Sequence, residues 1–260
     1  MKKIIAKKSL GQNFLKDEVI LEKIASSFDS TEKDLIIEIG PGMGALTKYL
    51  IKKPSELLCY EIDKRMQDIL LSFNCNKVNI IFDDFLKRNI KNDLKRNYEN
   101  IYIIANIPYY ITTPIIEHII DSEINITGMT LLVQKEVAER FSAKPNSKNY
   151  GYFTVLLQHY FKIESLFNVK PSAFVPSPKV MSTVVRLIKK EKVIDLDICL
   201  FKKFLKRAFS QKRKTLKNNL KEYDWQKISD VLIKNNISVN CRAEELSYEM
   251  FVLIYKTIFN

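Results

Sequence analysis

The feature that most constrains this chain is an alternation of short β-rich runs with amphipathic helical stretches. Seven candidate strands lie at 35–39, 57–62, 78–82, 101–106, 129–134, 161–169 and 183–188. Helical stretches separate them at 45–51, 64–73, 113–120 and 135–141. Strands separated by helices predict an α/β fold with a mostly parallel, doubly wound sheet that binds ligands at the carboxyl ends of its strands.

Beyond residue 190 the pattern becomes helical only. Three or four helices are predicted, at 198–209, 212–221, 224–235 and 244–258. Because no strand pattern occurs there, we expect two domains. The first would span residues 1–189, and a smaller all-helical domain would span 190–260.

A glycine-rich turn follows the first strand. Gly40, Gly42 and Ala45 match the spacing G-x-G-x-x-A, and Glu61 ends the next strand. Glycines at this place let the backbone approach a nucleotide closely, and the acid can bind ribose hydroxyls. The pattern alone serves dinucleotides and S-adenosylmethionine equally well.

Acidic residues near the turn favour S-adenosylmethionine. Glu38 precedes the turn, while Asp83 and Asp84 end the third strand. A carboxylate here would repel a pyrophosphate but would tolerate a sulfonium ligand that carries an ammonium group. One of the two aspartates could accept the N6 amine of the adenine ring.

Asn106, Ile107, Pro108 and Tyr109 follow the fourth strand, and we call them the acceptor loop. The Asn106 side-chain oxygen and the Ile107 carbonyl could hold both protons of an exocyclic amine and aim its lone pair at a methyl donor. Pro108 adds no competing N–H donor. Tyr109 could stack on a base. The loop therefore predicts methyl transfer to an amino group on a planar base, without a strong general base.

Positive charge is concentrated at the two ends of the chain. Of a net charge of +12, residues 1–16 contribute +5, residues 17–170 contribute −2 and residues 171–260 contribute +9. Lys212, Arg213 and Lys214 lie in an acid-free basic run that is interleaved with apolar residues. This distribution predicts binding to a polyanion, with these three cations in contact with its phosphates.

Composition argues against several other classes. The chain has two histidines and four cysteines without a CxxC pair, so we expect no metal site and a reducing compartment. No apolar run reaches the roughly 18 residues of a membrane helix, and no secretory signal follows the basic N-terminus. We expect a cytoplasmic protein with no membrane partner.

Several segments, taken together, resemble one known family. They are residues 8–15, 38–47, 60–63, 106–109 with 113–115, 171–180, and 208–216. The chain is similar to the rRNA adenine N6,N6-dimethyltransferases, and most closely to their bacterial small-subunit (16S) branch, which is linked to kasugamycin sensitivity. The resemblance implies a Rossmann-like class I S-adenosylmethionine methyltransferase domain with a seven-stranded, mostly parallel sheet and a helical rRNA-binding domain.

The resemblance also implies roles for matching residues. The cofactor site would comprise Asn13, Leu15, Gly40, Gly42, Glu61, Asp84 and Asn106. The acceptor loop would hold the target base, and Phe174 would close its other face. The implied substrate is a pair of adjacent adenines in the 3′-terminal hairpin of 16S rRNA, within the small-subunit precursor, and we expect a monomer. One position departs from the family, because Tyr110 stands where Asn is usual.

Three alternatives stay open on the sequence alone. The first is the related large-subunit (23S) dimethyltransferase that confers macrolide resistance, against which segments 174–180 and 208–216 argue. The second is a non-catalytic RNA-binding assembly or transcription factor of the same fold, which the intact acceptor loop disfavours. A nicotinamide oxidoreductase is the weakest of the three.

Overall fold

The alternating pattern folds into one seven-stranded sheet and a separate short strand pair. The computed structural model describes residues 6–7, 10–73 and 75–259. In chain order the strands are β1 (Phe14–Leu15), β2 (Leu35–Ile39), β3 (Glu56–Tyr60), β4 (Val78–Ile81), β5 (Ile101–Asn106), β6 (Gly128–Gln134), β7 (Phe161–Val169), β8 (Phe174–Val175) and β9 (Ser182–Lys189). Three lysines of the basic N-terminus (Lys2, Lys3 and Lys8) lie outside the described residues, and so does Ser9 of the segment 8–15 that carries part of the family resemblance.

Most helices overlap the predicted helical stretches, but the first, fourth and seventh were not predicted. They are α1 (Glu18–Ala25), α2 (Thr47–Leu50), α3 (Gln67–Leu71), α4 (Ile90–Asp93), α5 (Thr112–Asp121), α6 (Lys135–Phe141), α7 (Tyr152–Tyr160), α8 (Ile198–Ala208), α9 (Leu216–Asn219), α10 (Trp225–Lys234) and α11 (Tyr248–Phe259). The predicted helix at 212–221 is reduced to the single turn of α9. In the described chain, no helix combines the length and apolarity needed to cross a lipid bilayer.

Strand order places the glycine turn and the acceptor loop side by side. The sheet runs β4-β3-β2-β5-β6-β9-β7, with β2 parallel to both β3 and β5. The carboxyl ends of these three central strands therefore meet at one edge. β9 runs antiparallel to β6, so the sheet is mostly parallel, as predicted.

Burial explains why the central strands carry unbroken apolar runs. Every residue of β2 is buried, and so are the first five of β5. Ile37 and Ile103, paired across these strands, are both fully buried. A strand covered on both faces gains from apolar side chains at every position, so the two-residue alternation is lost.

Contacts divide the chain into two compact units. The first comprises Met1–Ala138 and Glu164–Lys189, and the second comprises Glu139–Ile163 and Lys190–Asn260. The sequence boundary at 190 differs from this division, because residues 139–163 group with the helical part. Within the second unit, α8 buries Phe201, Phe204 and Leu205 completely, while Lys203 and Lys206 are exposed. Phe201 and Phe204 of the basic run therefore lie in the core of this unit.

Candidate active site

The glycine turn (residues 40–44) is fixed by the end of β3. The Gly40 N–H donates to the Tyr60 carbonyl at 2.9 Å, and the Gly42 N–H donates to Glu61 Oε2 at 2.8 Å. Gly42 has a φ of +57°, a left-handed conformation that other residues adopt only under strain. Glu61 therefore holds the backbone of the turn in addition to its predicted position beside a ribose.

Two buried carboxyl groups lie under this turn. Glu61 is 3% exposed and also accepts the Asp63 N–H at 2.7 Å. Burial raises the pKa of Glu61, and the backbone donors oppose this rise. Glu38 is 1% exposed and accepts from Thr47 Oγ1 at 2.7 Å. Burial raises the pKa of Glu38 to about 8. A cationic ligand beside these groups would favour their ionised forms.

Asp83 and Asp84 form the acidic wall at the end of β4. Asp84 Oδ1 accepts the Leu86 N–H at 3.1 Å and caps the short 3-10 helix Phe85–Lys87. Asp83 accepts the Asp84 N–H at 2.8 Å and pairs with Arg88 at 3.4 Å. Asp84 thus has a capping role, and both aspartates line the same cavity as the glycine turn.

The acceptor loop leaves the carboxyl end of β5. Asn106 Nδ2 donates to the Asn13 carbonyl at 3.4 Å, which leaves Asn106 Oδ1 as the acceptor of that side chain. Ile107 is 1% exposed. The Tyr109 hydroxyl is within hydrogen-bond distance of Ser182 Oγ at the start of β9. Burial raises the pKa of Tyr109, so at neutral pH its ring is a neutral surface anchored at one end.

Residues 10–15, which we call the arm, form another wall of the cavity. Gln12 Nε2 donates to Asp63 Oδ2 at 3.0 Å. The hydrogen bond from Arg65, and to a lesser extent that from Gln12, lowers the pKa of Asp63 to about 2. β1 pairs antiparallel with β8, with Leu15 opposite Phe174. Neither the Gln12–Asp63 bond nor the Tyr109–Ser182 contact was predicted from sequence, because each joins residues more than 50 positions apart.

These walls enclose a cavity of about 320 Å³. It brings together the predicted site residues Asn13, Leu15, Gly40, Gly42, Glu61, Asp84, Asn106, Ile107, Pro108 and Tyr109. Phe174 is not among the lining residues. It is 2% exposed and packs in the apolar core of the first unit, so the structure does not place it against a base in this cavity.

The charge of the cavity is opposite to that of the chain. Four acidic residues line it, Glu38, Glu61, Asp83 and Asp84, of which Glu38 holds a proton at neutral pH when no cationic ligand lies beside it, and no described Lys, Arg or His does so. This charge disfavours a dinucleotide pyrophosphate. An adenosine ligand with sulfonium and ammonium charges fits both the volume and the sign, with Glu61 and Asp84 suited to its hydroxyl and amine donors.

The predicted RNA-binding cations in the helical unit differ in their surroundings. The Lys212 ammonium donates to the Lys148 carbonyl and lies 3.6 Å from Glu244 Oε2, an ion-pair distance too long for a hydrogen bond. Arg213 and Lys214 are exposed. Lys212 is exposed as well, at 49% of its side chain, but its ammonium group has partners within the fold.

Fold and site together define a class I methyltransferase, and comparison with known proteins identifies the family. The family described as ribosomal RNA adenine dimethylase matches residues 4–260. The chain belongs to this family. It is therefore an rRNA adenine dimethyltransferase with S-adenosylmethionine as methyl donor, which confirms the predicted enzyme class, cofactor and RNA partner.

Curated relatives carry a more specific name. "Ribosomal RNA small subunit methyltransferase A" of Aster yellows witches'-broom phytoplasma (strain AYWB) is 41% identical, covering 94% of this chain and 93% of its own. The protein of that name from Bacillus licheniformis is 40% identical, covering 95% of this chain and 89% of its own.

Solved structures agree on the fold. A dimethyladenosine transferase from Plasmodium falciparum is 27% identical with a TM-score of 0.77, covering 94% of this chain and 98% of its own. The 23S rRNA methyltransferase ErmE shares the fold, with 22% identity, a TM-score of 0.70 and coverage of 95% and 100% of the two chains.

Proposed function

We propose that this chain dimethylates N6 of two adjacent adenines in the 3′-terminal hairpin of 16S rRNA, within the small-subunit precursor. The observation that carries the proposal is the position of Asn106, which ends β5 at the wall of an acidic cavity and presents Oδ1 as its acceptor. The names of the curated relatives favour the small subunit over the large one.

The cofactor residues bind and orient rather than react. Glu61 would bind the ribose hydroxyls, and Asp84 would bind the adenine amine. The backbone of Gly40 and Gly42 would lie close to the ligand, and Asn13 and Leu15 would complete the wall of the site. When bound, S-adenosylmethionine supplies an electrophilic methyl group on a positively charged sulfur. The cavity carboxylates would stabilise that positive charge until transfer removes it.

The acceptor loop would activate the target amine by geometry. The lone pair of an adenine N6 amine is delocalised into the ring, which makes it a weak nucleophile. In the first transfer Asn106 Oδ1 and the Ile107 carbonyl would each accept one N–H, and in the second the single N–H of the methylated amine would be held by one of them, which favours a tetrahedral nitrogen whose lone pair is free. After transfer the nitrogen carries an acidic proton that is lost to water. Catalysis therefore needs alignment and fixed dipoles, with no strong base.

Tyr109 would hold the base by stacking. An aromatic platform for a base contributes about 1–3 kcal/mol. Because Ser182 anchors the Tyr109 hydroxyl, the ring is held in place before the base arrives. Loop bases of a hairpin leave their stack at a cost of only a few kcal/mol, so the platform can offset much of that cost.

The helical unit would contact the RNA backbone through Arg213 and Lys214. Both are exposed cations in the part of the chain that carries +9 of the net charge. Phosphate contacts position an RNA without reading its sequence. In this proposal the chain acts as a cytoplasmic monomer on each small-subunit precursor.

The test is methylation of small subunits that lack the modification. With labelled S-adenosylmethionine, we expect label as N6,N6-dimethyladenosine at the two adjacent hairpin adenines, located by nuclease mapping. Asn106→Ala should lower the rate by about 100-fold or more, the usual scale for loss of an aligned polar group. Asn240→Ala, at an exposed loop asparagine, is the matched control and should retain full activity. Label at other nucleotides of the small subunit, or none in dimethyladenosine, would refute the proposal.

A further inference from the structure

Tyr110 is the residue of the site whose role the proposed function leaves unassigned. It follows the acceptor loop directly, lines the cavity and is 61% exposed. A large side chain this exposed does not stabilise the core of the unit. Its contacts must therefore be sought at the cavity mouth.

Tyr110 packs against Gly11 of the arm. A Cβ added to Gly11 would lie 2.9 Å from Tyr110 Cε1 and 3.0 Å from Cδ1, with Pro108 Cβ at 3.5 Å. Gly11 also has a φ of +59°. Both the ring and the backbone conformation therefore require glycine at this position.

A second contact of the same kind runs in the opposite sense. A Cβ added to Gly42 of the glycine turn would lie 3.0 Å from Cε1 of Phe14, which belongs to the arm. Gly11 of the arm thus packs under the Tyr110 ring beside the acceptor loop, and Phe14 of the arm packs over Gly42 of the glycine turn. Between these contacts, Asn13 accepts from Asn106.

The base and the tip of the arm are held differently. At the base, Leu15 is buried in the apolar core and pairs with β8, and the Lys16 N–H donates to the Ala173 carbonyl at 2.9 Å. The tip, residues 10–13, is only half-buried, and Gln12–Asp63 and Asn106–Asn13 are its side-chain hydrogen bonds to the rest of the unit. A tip with so few buried contacts opens locally at low free energy. A single ring that packs on the tip of the arm therefore raises substantially the fraction of molecules in which the arm is docked on the cavity.

We propose that Tyr110 is a positioning residue that docks the arm on the cavity, so that the cofactor wall and the acceptor loop are completed together. The inference rests on the proposed function, since it takes residues 106–109 to be the acceptor loop. Arm closure precedes productive cofactor binding, and the apparent affinity falls with the fraction of molecules whose arm is closed. Tyr110 acts through Gly11 and makes no contribution to the methyl transfer itself.

The test compares Tyr110→Ala with Tyr110→Phe, which keeps the ring, and with Ile233→Ala, a control of matched exposure at 62% in the helical unit. Calorimetry measures Kd for S-adenosylmethionine, and hydrogen exchange measures opening of residues 10–15. For Tyr110→Ala we expect Kd to rise roughly tenfold, the scale of one aromatic contact, with faster exchange in the arm and an unchanged melting temperature. Both Tyr110→Phe and Ile233→Ala should stay within about twofold of wild type, a ratio worth only a few tenths of a kcal/mol.

Steady-state kinetics and a double variant separate this role from a direct contact with RNA. Tyr110→Ala should raise KM for S-adenosylmethionine more than KM for RNA, with kcat nearly unchanged. Gly11→Ala should weaken cofactor binding, because its Cβ displaces the Tyr110 ring. In the Gly11→Ala background, Tyr110→Ala should therefore raise the cofactor Kd by a smaller factor than it does in the wild type. A normal cofactor Kd with a raised KM for RNA would overturn the proposal and make Tyr110 an RNA contact. The cofactor-binding and hydrogen-exchange measurements use no RNA. They can therefore refute the role of Tyr110 even if the proposed RNA substrate is correct, and support it even if that substrate is wrong.

Discussion

Replacing Lys212 should differ sharply from replacing its two neighbours, although all three belong to one basic run. All three side chains are exposed, but the ammonium group of Lys212 is engaged with the Lys148 carbonyl and Glu244. We therefore expect Lys212→Ala to act on stability and the double variant Arg213→Ala/Lys214→Ala to act on RNA affinity. The contrast tests whether position in the fold, rather than charge alone, decides which cations bind RNA.

The expected magnitudes follow from counterion release and from the contacts of Lys212. Loss of two phosphate contacts should reduce the slope of log affinity against log salt by about 1.8 for a helical stem. Between 50 and 200 mM salt, the wild type should then lose roughly tenfold more affinity than the double variant. Lys212→Ala should leave the slope nearly unchanged and lower the free energy of unfolding by about 1–2 kcal/mol, from one backbone hydrogen bond and a half-exposed ion pair.

Filter binding of a hairpin RNA at four or more salt concentrations gives the slopes, and urea unfolding gives the stabilities. The control is Lys227→Ala/Lys234→Ala, which removes two exposed positive charges from α10. It should lower RNA affinity only slightly, because only a weak long-range attraction to the RNA is lost. Equal slopes for the Lys212 variant and the double variant would refute the reasoning, as would an unchanged slope for the double variant.

Two further predictions concern the cavity. Because burial raises the pKa of Glu38 from 4.5 to about 8, the folded state holds a proton that the unfolded state releases, so the free energy of unfolding should fall by on the order of 5 kcal/mol as pH rises through this window. Glu38→Gln should flatten that dependence in urea titrations at pH 5 and 9; an unaltered profile would contradict the assignment. Tyr109→Phe and Ser182→Ala should each lower kcat by roughly tenfold with cofactor Kd unchanged, and the double variant should be no worse than either single one. Additive losses would show that the two hydroxyls act separately.

Much of the sheet could be predicted because its determinants are local. β2, β5 and β7 begin and end at the predicted residues. β2 and β5 are largely apolar runs, whereas β7 mixes apolar with polar residues and is half-exposed. The β1–β8 pair and the helices α1, α4 and α7 were not predicted. A two-residue strand has no period to detect, and residues 14–15 find their partner about 160 positions away.

The site was predictable where topology alone determines it. Residues that end parallel neighbouring strands must meet, so the strand pattern was enough to group Gly40, Glu61 and Asn106. Residues placed by tertiary contact could not be grouped in this way. Phe174 has the same sequence neighbours whether it faces a base or the core, yet it is drawn into the core by its pairing with the arm. The partners of Lys212 likewise lie far from it in sequence.

The pairing of β1 with β8 has a consequence for synthesis of the chain. Every proposed cofactor-binding residue lies before position 107, so a nascent chain stopped at residue 170 already contains the complete set. It lacks the strand Phe174–Val175 on which the arm is seated, and it also lacks β9, the neighbour of β6 in the sheet. Domains emerge from their N-terminal end during translation, and the first residues made must here wait for some of the last residues of the unit. Cofactor binding would therefore report that the whole first unit has been translated, and a truncated chain would be distinguished by its inability to retain the ligand.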